Sequence, residues 1–315
     1  VQAAGMTCRQ MSLWRSETGM LPIGGMILMT AQLPLALLHL EFDTREAHDR
    51  YFRSIDPIGR EIWLWHETLG NQNGSFTLPG ICEICAKCTA FDFNAHPSER
   101  IDTPFPYRVN WRMSGRCSGC GLIQIDRSII SLLRNEAVQR PYVVGFYSAL
   151  AQWLLKNIPN TITSQFFEGK KPGELLVNGI RHEDLTCLSF DDAELDCIIH
   201  SEVLEHIPNY KAALREMTRT LKPGGKAIMT FPFANLSDQT IVRAIMEPCG
   251  TIKHLMPPEY HGDPAGPDGI LCYQVFGWDI LDHMREAGFS KATVHRLFGP
   301  THGYMAPDFV FVGTK

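Results

Sequence analysis

Two Cys-x-x-Cys pairs are the residues of this chain whose type and spacing most directly specify a chemistry. Cys82 and Cys85 form the first pair, and Cys117 and Cys120 form the second. Each such turn can direct two thiolates at one ion, so two turns supply the four sulfur ligands of a tetrahedral zinc site. Because four protein ligands leave no open coordination position, the pattern predicts a structural zinc ion.

Cys88 provides an alternative to this ligand set, because Cys85 and Cys88 also have the Cys-x-x-Cys spacing. Unmetallated buried cysteines and a redox-active pair are two further interpretations. We expect zinc on the first set of four. Its role would be to fold the segment from about Ser75 to Asp126, which we expect to be rich in loops and poor in apolar residues.

A second candidate for chemistry is the segment Glu202-Val-Leu-Glu-His206. On a helix, Glu202, Glu205 and His206 would share one face, and two carboxylates with an imidazole could hold a divalent cation. Such a cation would lower the pKa of a bound hydroxyl group. The alternative is that Glu205 is a solvated or capping carboxylate and His206 a packing residue.

The segment Pro257-Pro-Glu-Tyr-His-Gly-Asp-Pro264 combines turn residues with groups that can bind a polar substrate. Glu259, Tyr260, His261 and Asp263 are therefore candidates for acceptor binding or proton transfer. We expect His261 to be the acceptor-side base or orienting residue, with His206 ahead of it if a metal is bound, because an imidazole titrates near neutrality. His302 is a weaker candidate of the same kind. The alternative is a turn that only ties down the loop.

The elements that must position these residues alternate between strand and helix patterns from Pro141 onward. A helix with apolar residues at three- and four-residue steps precedes the break at Pro223-Gly-Gly225, and an insertion at residues 233–273 follows the fifth strand. In an open parallel sheet, ligands lie outside the carboxyl ends of the strands. The expected strands are residues 142–145, 161–167, 180–190 (leading to the third strand), 197–199, 227–231, 292–295 and 309–312, and further helices are expected at 149–155 and 278–287.

The amino-acid sequences of these turns and strand ends resemble those of a known family. "SEVLEHIP", "ALRE" and "LKPGG", at residues 201–225, are similar to the type 11-like class I S-adenosylmethionine (SAM)-dependent methyltransferases. The resemblance covers about residues 141–315. It implies an α/β fold with a Rossmann-like seven-stranded sheet, SAM as cofactor, and methyl transfer to O or N of a small polar acceptor such as a sugar or secondary metabolite. The Glu-x-x-Glu-His motif also occurs in methyltransferases of ubiquinone biosynthesis and in small-RNA 2′-O-methyltransferases, where it binds a metal.

The resemblance also implies a set of cofactor-binding residues. Asp184 would accept a hydrogen bond from the adenine amino group. The chain departs from the family at two places, because Gly145-Phe-Tyr-Ser148 replaces a Gly-x-Gly-x-Gly loop and Gln165 replaces an acidic residue. We expect SAM to bind with compensating contacts; the alternative is a catalytically degenerate scaffold that docks a partner through the zinc segment. The expected cofactor-binding residues are Gly145, Gln165, Glu183, Asp184, Leu185, His200 and Ser201.

Composition restricts the partners. The chain has 315 residues, 44% hydrophobic and 20% charged, with a formal net charge of −5. This charge disfavours a broad nucleic-acid surface. A zinc-ribbon nucleic-acid methyltransferase is favoured only by the ribbon and by Arg108, Arg112 and Arg116. We expect a cytoplasmic protein that acts on a small molecule and could form a homodimer, without membrane binding.

The chain is predicted to comprise a poorly defined segment (1–40), a helical and zinc-ribbon-like region (41–140) and a methyltransferase domain (141–315). Residues 20–40 contain no charged side chain, but Pro22, Pro34 and Glu17 argue against a membrane span or signal peptide. The other interpretation is a natural start at Met26 or Met29. Two short aromatic-rich helices are expected between Glu41 and Leu69.

Overall fold

The computed structural model describes residues 20–23, 26–29, 37–54, 74–97, 107–134, 136, 138–176, 178–263 and 266–315. The chain divides into two compact units. The first contains residues 1–40, 46–131 and 296–308, and the second contains residues 41–45, 132–295 and 309–315. The segment 296–308 thus belongs to the first unit, although it lies within the range predicted for the methyltransferase domain.

The regular elements of the chain are numbered in chain order. The first are β1 (Met20–Ile23), β2 (Met26–Met29), β3 (Leu38–Phe42), α1 (Arg45–Ser54), β4 (Gly74–Cys82), β5 (Lys87–Pro97), β6 (Tyr107–Val109), β7 (Arg116–Cys117) and α2 (Gln124–Leu133). The next are β8 (Pro141–Val144), α3 (Ala149–Asn157), β9 (Ile162–Gln165), β10 (Arg181–His182), β11 (Leu195–Ser201), a 3₁₀ turn (Leu204–His206), α4 (Tyr210–Thr220) and β12 (Leu221–Thr230). The last are β13 (Ile241–Val242), β14 (Ala244–Met246), β15 (Ile252–His254), β16 (Tyr260–Asp263), β17 (Gly266–Leu271), β18 (Gln274–Val275), α5 (Ile280–Glu286), β19 (Lys291–Gly299), a 3₁₀ turn (Pro300–His302) and β20 (Tyr304–Thr314).

A mostly parallel sheet dominates the second unit. Its strand order is β10-β9-β8-β11-β12-β20-β19-β3. The first five of these strands pair in parallel, and β20 joins β12 in antiparallel fashion. The predicted α/β sheet is therefore confirmed, but it has eight strands instead of seven, because β3 adds to its edge. The third predicted strand, β10, is only two residues long.

The central strands form because their apolar runs are buried on both faces. Cys197, Ile198 and Ile199 of β11 are fully buried. Helix α4 buries Ala213, Leu214 and Met217 along one face, as its apolar spacing predicts. The helix begins where the Asn209 side chain accepts a hydrogen bond from the Ala212 N–H at 3.2 Å.

The described part of residues 75–126 contains an antiparallel sheet, so the expectation of a loop-rich region is wrong there. Strands β4 and β5 form a hairpin from Gly74 opposite Ala95 to Cys82 opposite Lys87, and β6 and β7 pair with β5. Phe91 and Phe93 of β5 are buried and alternate with exposed polar residues, the pattern of a strand with one buried face. This segment therefore has apolar residues of its own to bury.

The structure describes only part of the N-terminal region, so only some of the predictions for it can be compared with the structure. Strands β1 and β2 form a hairpin within the apolar stretch. Helix α1 corresponds to the first of the two expected aromatic helices, and the second, at residues 62–69, lies outside the described residues. In the part of the chain that the structure describes, no helix has the length and apolarity needed to cross a membrane.

Candidate functional site

The predicted cofactor residues follow one edge of the parallel sheet. In register, Val144 lies opposite Ser164, Gln165 opposite His182, and Ile199 opposite Val143. Because these strands are parallel, their carboxyl ends meet at the same edge, which is where open α/β sheets bind ligands.

The turn after β8 is made by a single glycine. Gly145 has φ +91°, and its N–H and that of Phe146 both donate to the Ser164 carbonyl, at 3.0 and 2.9 Å. A Cβ at Gly145 would meet only the Ser148 hydroxyl, 3.9 Å away. The backbone is therefore open at this turn, although the second and third glycines of the family loop are replaced by larger residues.

Glu183 and Asp184 have different surroundings. The buried carboxylate of Glu183 accepts hydrogen bonds from Arg181 Nε at 2.6 Å and Ser189 N at 2.9 Å, so it holds the loop together. The Oδ1 atom of Asp184 accepts hydrogen bonds from the Thr186 N–H (2.8 Å) and hydroxyl (2.7 Å). An adenine contact by Asp184 therefore requires its other oxygen, Oδ2. Leu185 is buried beside them.

His200 is the buried polar residue of this edge. It is fully buried near the carboxyl end of β11, and among the described residues neither ring nitrogen has a hydrogen-bond partner. Burial lowers the pKa of His200 to about 3, so the imidazole is neutral. The hydroxyl of the next residue, Ser201, accepts a hydrogen bond from Thr230 at 3.1 Å. Because buried polar groups are normally paired, these two ring nitrogens are open to pairing with a water molecule or a ligand that enters this edge of the sheet.

The segment 202–206 is not the helix that its spacing suggests, so the expected shared face of Glu202, Glu205 and His206 is wrong. Glu202 has φ +54°, and only Leu204–His206 form a short 3₁₀ turn. Ile207 is extended, as expected for a residue before proline, and the turn cannot continue into an α-helix. Glu202 consequently lies outside the cluster that contains Glu205 and His206.

His261, from the insertion, takes the third place in this cluster. We call Glu205, His206 and His261 the carboxylate–histidine trio; their ligand atoms lie within 4.8 Å of one another. Glu205 Oε1 is 3.5 Å from both His206 Nε2 and His261 Nδ1. Two imidazoles and a carboxylate are donors that suit a divalent transition metal ion.

The trio is oriented by its neighbours. His206 Nδ1 is 2.9 Å from the Leu271 carbonyl, which can only accept a hydrogen bond, so Nδ1 carries the proton. The unprotonated Nε2 then faces Glu205 and can serve as a metal ligand. His261 Nε2 is 3.2 Å from Glu259 Oε1. The neighbouring Cys272 and Glu205 raise the pKa of His261 to about 11.

Glu205 is fully buried, and neither of its oxygens accepts a hydrogen bond from any described residue. A buried carboxylate without hydrogen bonds is costly unless a positive charge lies beside it. That charge can come from the protonated imidazole of His261, 3.5 Å away, or from a metal cation that displaces its proton.

The remaining sequence candidates are Tyr260, Asp263 and His302. Tyr260 is exposed, and the side chain of Asp263 lies outside the described residues. His302 belongs to the first unit, where its carbonyl accepts a hydrogen bond from Arg127 at 2.8 Å.

Comparison with known proteins identifies a family for the segment that contains β9 and β11. Residues 160–229 match the family model described as "Methyltransferase domain". This part of the chain is a methyltransferase domain. It contains Gln165, Asp184 and His200 together with two members of the trio, whereas His261 lies beyond the match.

Two curated relatives of the methyltransferase domain are demethylmenaquinone methyltransferases. That of Streptomyces avermitilis is 26% identical over 129 residues, which is 37% of this chain and 51% of the relative. That of Staphylococcus carnosus is 49% identical over 45 residues, 14% of this chain and 19% of the relative. The chain thus spans about half of the first relative's length and about a fifth of the second's. A solved SAM-dependent methyltransferase from Mesorhizobium loti is 13% identical, with a TM-score of 0.38, over 60% of this chain and 96% of that one.

Outside the methyltransferase domain, the four predicted cysteines converge in the first unit. The sulfurs of Cys82 and Cys120 are 4.0 Å apart, and those of Cys85 and Cys117 are 3.8 Å apart. Tetrahedral coordination with Zn–S bonds of about 2.3 Å requires sulfurs about 3.8 Å apart. The spacing therefore fits a zinc ion. Cys88 is disulfide-bonded and lies outside this group.

The backbone around these sulfurs also fits a metal site. The N–H groups of Cys85 and Gly119 point at the sulfurs of Cys82 and Cys117, at 3.5 and 3.3 Å. A Cβ at Gly119 would come within 2.9 Å of the Cys85 sulfur, so only glycine fits without displacement. The hydrogen bond between Cys82 and Cys120 lowers the pKa of Cys82 and raises that of Cys120, so without a metal ion the two sulfurs share one proton.

Two features escaped sequence reasoning. The contact between Glu205 and His261 joins positions far apart in the chain, and no local pattern indicates it. The second is a buried polar group around α2, where Arg127 is fully buried and donates to the carbonyls of Gly115 and Gly303. Asp126 and Asp308 are buried in the same unit. The charged residues of α2 would have been assigned to a solvated face.

Proposed function

We propose that this chain is a SAM-dependent methyltransferase that transfers a methyl group to an oxygen or nitrogen of a small polar acceptor. The observation that carries the proposal is the polar carboxyl edge of β8, β9 and β11, since β9 and β11 belong to the segment that matches a methyltransferase domain. The similarity to two demethylmenaquinone methyltransferases supports the reaction class, while the acceptor is inferred from the site.

The residues at this edge fit the cofactor. The open turn at Gly145 leaves room for a ligand against the backbone, and His200 offers two unsatisfied ring nitrogens. Gln165 would bond a ribose hydroxyl and Asp184 the adenine amino group. Bound SAM would supply an electrophilic methyl group on a sulfonium ion. The task of the protein is then to align the acceptor atom with that methyl group and to exclude water.

We place the acceptor at the carboxylate–histidine trio. A divalent cation held by Glu205, His206 and His261 would lower the pKa of an acceptor hydroxyl and orient it. His261, on the insertion, would contact the acceptor side, with Glu259 fixing its ring. This ligand set replaces the one predicted with Glu202.

The first unit would carry a zinc ion on Cys82, Cys85, Cys117 and Cys120. Four thiolates close the coordination sphere, so we assign this ion a structural role and no step of the reaction.

The proposed activity is tested with methyl-labelled SAM and a panel of hydroxyl and amine metabolites, with and without Mn²⁺. Calorimetry with S-adenosylhomocysteine measures cofactor binding independently of the acceptor. We expect saturable binding. Its complete absence would contradict the enzyme proposal and favour the degenerate scaffold.

A further inference from the structure

Arg243 lies beside Glu259, the carboxylate that contacts His261 of the carboxylate–histidine trio. Its Nη2 atom is 3.0 Å from Glu259 Oε2 and donates a hydrogen bond to the Pro257 carbonyl at 2.9 Å. The other oxygen of Glu259, Oε1, is 3.2 Å from His261 Nε2. The Nδ1 atom of the same ring is 3.5 Å from Glu205 Oε1. A continuous series of side-chain contacts therefore runs from the Arg243 guanidinium to the buried carboxylate of Glu205.

The backbone joins the two ends of this series. The Arg243 N–H donates to the Tyr273 carbonyl at 2.7 Å, and the Tyr273 N–H donates to the Glu205 carbonyl at 2.8 Å. The Arg243 side chain is also mostly buried, with 17% of its surface exposed. Because this side chain is anchored at its backbone and at its guanidinium, it can hold Glu259 in one place relative to Glu205.

The two histidines of the trio direct different nitrogens at Glu205. His206 directs Nε2 there, because its Nδ1 lies 2.9 Å from the Leu271 carbonyl. His261 has the reverse arrangement, with Nδ1 beside Glu205 and Nε2 beside Glu259. A histidine that binds a metal normally donates its other ring N–H to a carbonyl or a carboxylate. The Leu271 carbonyl and the Glu259 carboxylate are in position to be these two acceptors.

The thiol of Cys272 is a further polar neighbour of His261, and it is fully buried. Its S–H donates to the Gln274 carbonyl at 3.3 Å. The thiol therefore has no hydrogen to offer the imidazole, and it does not compete with a cation for the Nδ1 lone pair.

We propose that Arg243 and Glu259 are positioning residues of the cation site. Arg243 holds the Glu259 carboxylate, and Glu259 holds the His261 ring with Nδ1 directed at Glu205 as the ligand atom. This inference rests on the proposed function and identifies the groups that bring His261 to its cation. An ion pair at the surface contributes little by itself, so an effect of Arg243 on cation binding would reflect positioning.

The test is a double-mutant cycle on the Mn²⁺ affinity of zinc-loaded protein, measured by calorimetry. Glu259→Ala should lower the affinity by about 10- to 100-fold, the usual effect of removing the partner of a ligating histidine. Arg243→Met keeps the aliphatic part of the side chain and should lower it by about tenfold. Because Arg243 acts through Glu259, the double variant should match Glu259→Ala within about twofold.

Two further variants complete the cycle. Arg243→Lys keeps a cation and should lose less affinity than Arg243→Met, and it replaces the methionine variant in the cycle if that variant does not fold. Arg140→Met removes the cation of a comparable ion pair, 2.8 Å from Glu194, at the amino end of β8. This control should bind Mn²⁺ as the wild type does.

Isotope-labelled histidine provides a readout that a purely structural role would not predict. With Zn²⁺ at both metal sites, long-range proton–nitrogen correlation spectra should show His261 bound through Nδ1 and His206 through Nε2. Each ring is assigned from the spectrum of its glutamine variant. Coordination by Nε2 of His261 would overturn the proposal.

Unchanged Mn²⁺ affinity in Arg243→Met would also overturn it, as would an equal loss in Arg140→Met. A double variant whose loss is the product of the two single losses would show that Arg243 and Glu259 act independently, which the proposal excludes. A wild type that binds S-adenosylhomocysteine but no Mn²⁺ would refute this inference and leave the proposed cofactor site standing. The expected cycle without S-adenosylhomocysteine binding would support the positioning role and refute the proposed function.

Discussion

Single residues decide the chemistry of the second unit, and two buried ones stand out. His200 and Glu205 follow one another closely around the end of β11, and both lack hydrogen-bond partners among the described residues. An unpaired buried polar group costs about 1–3 kcal/mol, so such groups persist where a ligand completes them. The neutral His200 suits a ligand that donates or accepts hydrogen bonds, whereas the carboxylate of Glu205 suits a cation.

Substitutions of Asp184 test the cofactor site. Because Asp184 also accepts the hydrogen bonds of Thr186, a variant that keeps these bonds serves as a matched control. Asp184→Ala should weaken S-adenosylhomocysteine binding in calorimetry by about 1–3 kcal/mol, the scale of an unpaired buried donor. Asp184→Asn keeps an oxygen for the Thr186 hydrogen bonds but places an amide NH₂ where adenine needs an acceptor. Both variants should therefore bind weakly. If only the alanine variant does, Asp184 serves the turn and not the cofactor.

Glu205 tests the cation site. In zinc-loaded protein, Glu205→Gln should lower the affinity for Mn²⁺ at least tenfold by calorimetry, because the amide keeps the shape of the side chain and loses its charge. Manganese is the appropriate probe because it prefers carboxylate and imidazole donors to thiolates. Glu202→Gln, outside the trio, is the control and should bind as the wild type does. Equal loss in both variants would restore the original ligand set, and equal affinity in both would remove the site.

The residues capable of catalysis or metal binding could be recognised from the sequence. Which of them lie together in the folded chain could be predicted only in part. The structure brings the four cysteines together, and the sequence could indicate this grouping because each Cys-x-x-Cys pair is a local turn. Glu202 was wrongly included with Glu205 and His206 because helical spacing was assumed where Pro208 prevents a helix. His261 was assigned to the acceptor side, yet its proximity to Glu205 depends on how the insertion folds back, which no short-range pattern encodes.

At the scale of elements, the parallel strands were predictable, since buried apolar runs and a Pro-Gly-Gly break define them. The β4–β5 hairpin was not, because its turn carries the metal-site residues and its glycines suggest loops. Gly80 is an example: a Cβ there would come within 2.5 Å of the Thr301 carbonyl, so it is a packing glycine within a strand. Strand β16 of the insertion also lies in a segment, residues 257–264, that the sequence predicts to be a turn.

Loss of the zinc ion from the first unit should have a measurable effect on the stability of the protein. Purified wild type should contain one zinc ion on the four cysteines, and Cys117→Ser should lose it. Since this ion joins β4 to the loop after β7, its loss should lower the melting temperature of the protein by about 5 °C or more, equivalent to a few kcal/mol. Cys187→Ser, at an exposed cysteine outside the site, is the control.

Zinc content and calorimetric melting of the two variants measure this effect. Full zinc content in Cys117→Ser would contradict the ligand assignment. Zinc loss without any change in melting would contradict the structural role.

At the scale of the whole molecule, stability should depend on pH through two buried carboxyls of the first unit. Burial raises the pKa values of Asp126 and Asp308 to about 6, against an ordinary value of 3.8. Asp308 accepts a hydrogen bond from Ser128 at 3.0 Å through Oδ2, whereas its buried Oδ1 has no well-formed hydrogen bond among the described residues, although Gln124 lies nearby. Each carboxyl is therefore more easily accommodated when protonated.

The sign of the pH dependence follows from proton binding. Between about pH 4 and pH 6 the unfolded chain has lost these protons while the folded chain retains them, so the free energy of unfolding falls as the pH rises through this window. A pKa raised from 3.8 to about 6 corresponds to at most about 3 kcal/mol for each carboxyl.

Asp308→Asn should remove one of these contributions, because the amide is neutral at every pH and can still accept the Ser128 hydrogen bond. We expect the variant to be more stable than the wild type at pH 7 and to show a shallower decline between pH 4 and pH 6 in urea unfolding. Asp191→Asn, at an exposed position, should follow the wild-type profile. A variant that is less stable than the wild type at pH 7, with the same slope, would mean that the Asp308 carboxylate is paired with a cation in the folded protein.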